Sequence, residues 1–103
     1  MNVVEKFSLP IKFMEELISA FEKIIKLLEN SEDTIWANYT VAEAKEILQT
    51  ELENYQQTRQ LSDSAKYRIN FLFLPTSALQ EISIENGWGD KYLEISDIFD
   101  KHF

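Results

Sequence analysis

The chain contains no cysteine and a single histidine, His102, next to its last residue. The first absence excludes disulfides and thiolate chemistry. Together the two remove most of what enzymes use at neutral pH, which leans on His, Cys or a bound metal. Glycine and proline occur only twice each, so the chain can be broken sharply in few places. Long apolar runs are missing as well. The longest is Phe71-Leu72-Phe73-Leu74, far short of the ~20 residues that cross a bilayer. The first residues, Met1-Asn2-Val3-Val4-Glu5-Lys6, lack the basic segment and apolar run of a secretory leader. A soluble, cytoplasmic chain is expected.

Positive charge is scarce. Ten Lys and Arg stand against eighteen Asp and Glu, for a formal charge of -8 and an isoelectric point near 4.6. Such a field repels nucleic-acid phosphates and anionic membranes and attracts a basic protein. Lys12, Lys23 and Lys26 share the first helical segment with Glu15, Glu16 and Glu22, so no clean basic face is visible.

Known chemical motifs are missing too. Carboxylate-bridged metal sites in bundles need Glu-x-x-His, and Phe99 stands three positions before His102. Glu32-Asp33 is a doublet, not a calcium loop. No serine sits in Gly-x-Ser-x-Gly, and Gly87-Trp88-Gly89 is no phosphate loop. No metal, no cofactor and no catalytic residue is expected, and the chain does not read as an enzyme. A carboxylate enzyme would need an acid held in a desolvating pocket; the acidic face Asp90, Glu94, Asp97 gives no sign of one.

What is present is a core. Hydrophobic residues make up 45% of the chain and aromatics 13%, enough for one domain of this length without staples. Residues 1–9 read as an extended arm. Pro10, with Ser8 as cap, opens a helix whose apolar positions Met14, Leu17, Ile18, Phe21, Ile24, Ile25 and Leu28 keep helical spacing to about Asn30. Thr40-Val41-Ala42-Glu43 is a capping box, followed by a helix to about Arg59 with Glu46, Glu51 and Glu53 outward.

Leu61-Ser62-Asp63-Ser64 is a turn-and-cap cluster. Residues 66–74 alternate like a strand but also present Tyr67, Phe71 and Leu74 on one helical face. Helix is favoured because no strong partner strand exists, and Pro75 ends it. Ser77 and Gln80 suggest a second capping box, Asn86-Gly87 closes that short helix, and Asp90 caps the last one. The expected architecture is mainly α, a single domain (1–103) of four or five bundled helices. The alternative is α+β, with 66–74 paired to the N-terminal arm.

Function is expected to lie in binding. Trp36 and Tyr39, in a loop beside Glu32 and Asp33, combine aromatic anchors with charge, as interface hot spots do. The competing reading puts Trp36 in the end of the core. Glu94 and Asp97 add an acidic C-terminal face, whose plain reading is solvation. Trp88, between the two glycines, reads as a pinned core residue. The expectation is a small acidic protein-binding module, an inhibitor- or immunity-type partner of a basic protein, monomeric or dimeric. A second expectation is a homo-oligomer sealed through Phe71–Leu74 and Phe7.

Overall fold

Five helices follow one another in a computed structural model that describes residues 2–74 and 77–103, with side chains from Lys12 onward. They are α1 (Asn2–Glu29), α2 (Val41–Thr58), α3 (Asp63–Phe73), α4 (Ala78–Glu85) and α5 (Gly89–His102). No strand occurs among the described residues, so the all-α bundle holds and the α+β alternative falls. The ambiguous 66–74 segment is helical through Phe73. Leu74 is extended (ψ 152°), as expected of a residue before proline; Pro75 itself lies outside the described residues.

α1 starts earlier than the sequence suggests. It begins at Asn2 and runs through Pro10, replacing the expected arm and the cap at Ser8. Proline forfeits its own N–H bond, but its fixed φ is already helical, and residues 2–9 hold no other breaker. Phe7 lies where side chains are not described.

α1 packs along α2 and α5; α3 and α4 close the remaining side against α2 and α5. Phe21 sits at the centre. Its ring meets Phe99 edge-on at 5.0 Å and lies 6.5 Å from Tyr55. Phe73 extends the series, 4.7 Å from Phe99 and stacked on Tyr92 at 5.9 Å. Such edge and offset geometries add about 0.5–1.5 kcal/mol per pair beyond area burial. The Tyr92 hydroxyl donates to the Phe73 carbonyl, so its polar end is satisfied inside the core. Burial, with a smaller push from Asp100, raises the Tyr92 pKa, and burial does the same for Tyr55.

The caps divide into those read correctly and those not. At Thr40 both bonds of the capping box form: Glu43 N–H donates to Thr40 Oγ1 at 3.1 Å, and Thr40 N–H donates to the Glu43 carboxylate at 2.8 Å. Ser62 accepts from Ala65 N–H and caps α3. Ser77 occupies the N-cap of α4, but no capping box forms there. Its hydroxyl turns inward and donates to the Leu72 carbonyl, tying α3 to α4. Asp90 does not cap α5. Trp88 is the N-cap residue, and Asp90 falls in the first turn, where its charge still favours the helix N-terminus. Gly87 takes the left-handed conformation (φ 78°) that ends α4.

Candidate functional site

The α1–α2 loop is fixed at its base and open at its tip. Ser31 hydroxyl donates to the Leu27 carbonyl at 2.7 Å and accepts from the Trp88 indole N–H at 2.9 Å. Next to it, Glu32 N–H donates to Asn86 Oδ1 (2.8 Å), and Asn86 Nδ2 returns a bond to the Glu32 carbonyl (2.9 Å). At the far end Asp33 Oδ1 accepts the Val41 N–H at 2.7 Å. Between these anchors Thr34 turns the chain, accepting from Trp36 N–H and Ala37 N–H. The tip then holds Ile35, 89% exposed, and Trp36, 65% exposed. Trp36 therefore does not plug the bundle.

Tyr39 points elsewhere. It is half-buried and meets Phe71 of α3 edge-on at 6.4 Å; Phe71 in turn lies 6.4 Å from Tyr67. Tyr67 and Phe71 are exposed about one turn apart on α3, and Leu74, the extended residue at its end, is exposed as well. Beside this stripe, α2 and α3 border a groove of about 430 Å³ lined by Tyr39, Glu43, Glu46, Ile47, Thr50, Glu51, Asn54 and Arg68.

Glu51 corrects the sequence reading. It is 2% exposed rather than outward. Its two carboxylate oxygens accept from Arg68 Nη2 at 3.2 and 2.9 Å, and Asn54 donates to one of them at 3.3 Å. A buried carboxylate needs such partners, because isolated burial of its charge is costly. Ala44, Leu48, Glu51 and Tyr55 form the buried stripe of α2, so position 51 faces inward whatever residue occupies it.

The other expected site residues separate. Glu32 and Asp33 border a shallow hollow with Lys45 and Val41, and Asp33 is engaged as a helix-end acceptor. Glu94 and Asp97 are exposed on α5, and neither lines the hollow or the α2/α3 groove. The structure thus joins Glu32, Asp33, Trp36 and Tyr39 in one loop, and leaves Glu94 and Asp97 apart. Tyr67, Phe71, Glu51 and Arg68 are the additions. The exposed α3 spacing was visible in the sequence; the Arg68–Glu51 pairing across 17 residues was not.

The single histidine is anchored rather than frayed. His102 Nε2 lies 2.9 Å from Glu16 Oε1, with Lys101 Nζ 3.1 Å from the same oxygen and the Phe13 ring edge-on at 5.2 Å. The hydrogen bonds from His102 and then Lys101 hold the Glu16 carboxyl below its ordinary pKa. That direction is opposite to the raised value a general acid requires.

Among the described residues, no group of three or more His, Cys, Asp or Glu is placed to hold a metal ion. No helix among them is long and apolar enough to cross a membrane. No family model, curated protein or solved structure matches the chain.

Proposed function

We propose that this chain is a protein-binding module that engages a basic partner through the Ile35–Trp36 tip and the adjoining α2/α3 face. The observation that supports it most is the exposed indole of Trp36 on a loop whose base is held by five hydrogen bonds to Ser31, Glu32 and Asp33. An aromatic anchor held on a stiff base loses little freedom on binding, which is where affinity is gained. Glu43 and Glu46 on the groove, with the chain's net charge of -8, favour a cationic surface opposite.

The test is affinity capture from the source cells at low and high salt, with wild type and Trp36→Ala. A basic partner should be retained by wild type, released as ionic strength rises, and bound at least tenfold more weakly by the variant. Retention of the same partner by both proteins, or a salt-independent one, overturns the reading.

The exposed stripe Tyr67, Phe71, Leu74 supports a second reading, in which another copy of the chain covers it. Sedimentation at several concentrations separates the two. A monomer throughout removes the homo-oligomer; a dimer that Tyr67→Glu dissociates establishes it.

A further inference from the structure

Positive charge gathers in the groove between α1 and α5. α1 and α5 border a groove of about 370 Å³, within the ~300–1,000 Å³ range of small-molecule sites. Its floor is aliphatic, with Leu27 and Ile98 half-buried and Ile95 buried. Around that floor stand Lys23, Lys26 and Lys91 against one carboxylate, Glu94. In a chain of net charge -8, three ammonium groups facing one acid form a local excess of the scarce sign. None of the three lysines forms an ion pair among the described residues, whereas Lys45, Arg68 and Lys101 each do. The walls are mostly helix, which offers no sheet edge to an extended peptide, and Asn30, just past the end of α1, donates its side-chain amide to the Lys26 carbonyl. Apolar contact and positive charge are what the lining chiefly offers.

We propose that the α1/α5 groove binds a small anionic amphiphile as a free monomer, its aliphatic tail on Leu27, Ile95 and Ile98 and its carboxylate or phosphate head among Lys23, Lys26 and Lys91. The lysine stems extend the apolar lining while their ammonium groups meet the head. This groove shares no lining residue with the α2/α3 groove, so the proposal stands apart from the partner-binding reading.

The test is a titration followed by methyl resonances of Leu27, Ile95 and Ile98, with octyl phosphate, octanol and inorganic phosphate, each below any micelle-forming concentration. Octyl phosphate should shift those methyls saturably, and octanol and inorganic phosphate should each bind at least tenfold more weakly. Lys23→Gln/Lys91→Gln should weaken octyl phosphate about tenfold, and Lys91→Gln alone about threefold, both at unchanged helix content. The single variant serves if the double one folds poorly. Equal binding of octanol, shifts confined to another part of the surface, or octyl phosphate binding that neither variant weakens overturns the proposal.

Discussion

The chain holds two tryptophans, and the structure uses them in opposite ways. Trp88, in the corner between α4 and α5, is 7% exposed, and its indole N–H is satisfied by Ser31. Trp36, at the tip of the α1–α2 loop, is 65% exposed, with its ring left to solvent. The difference lies in what flanks each. Gly87 reverses the chain ahead of Trp88, whose indole joins the core cluster and donates to Ser31, just past the end of α1. Around Trp36 the Glu32 backbone pairs with the Asn86 side-chain amide, and the side chains of Asp33 and Thr34 accept from the Val41 and Trp36 N–H groups, which holds the loop outward. The same side chain is core where backbone reversal aims it inward, and display where the hydrogen bonds of its loop are made without it.

The largest effect expected from this contrast is at the corner. Trp88→Ala should cost about 3–5 kcal/mol in urea unfolding, the usual range for emptying a buried aromatic site. A loss below about 1 kcal/mol would make the two tryptophans equivalent. Next is the ion pair beneath the α2/α3 groove. Arg68→Ala strands the buried Glu51 carboxylate; since Arg68 is itself half exposed, a loss of about 1–3 kcal/mol is expected in the same assay. Gly87→Ala comes third. A β-carbon there meets nothing within 4 Å, so the loss of about 1 kcal/mol, read as a lowered Tm, comes from the left-handed backbone alone.

Trp36→Ala should change stability by less than about 0.5 kcal/mol while weakening partner capture at least tenfold, which sharpens the comparison from the other side. The smallest effect is one of pH. Because Glu16 is held below its ordinary pKa, its contribution is complete above the unfolded-state pKa and is lost as pH falls through the folded value. Glu16→Gln should therefore flatten the acid limb of the Tm–pH curve, through a small loss of Tm at neutral pH and none below the folded-state pKa of Glu16.

Which parts were legible follows from how local their physics is. The capping box at Thr40 and the left-handed Gly87 depend on residues within a few positions, and both stand where the sequence puts them. The buried pinning of Trp88 followed from its two glycines. The α1 start at Asn2 was missed because one proline was weighed as a boundary when only a single bond of the ladder was at stake. Ser77 and Asp90 matched cap patterns, yet Ser77 bonds to Leu72 and Asp90 sits one position inside the first residue of its helix. A hydroxyl has several acceptors within reach, and packing decides among them.

Of the binding loop, Trp36 was legible as an anchor, but the anchoring of its loop turned on bonds of Glu32 to Asn86 and Ser31 to Trp88, 54 and 57 residues apart. Glu51 escaped because a charged residue is read as outward, while its inward position is set by Ala44, Leu48 and Tyr55.

The paired amide bonds between Asn86 and Glu32 carry a last consequence. They join positions 54 residues apart, with α2, α3 and α4 strung between them. During synthesis, the segment bearing Trp36 leaves the ribosome long before the residue that clasps it. The nascent chain therefore exposes an unfastened, greasy tip until Asn86 emerges, and a fragment ending short of Asn86 should lack a recognition surface of fixed shape.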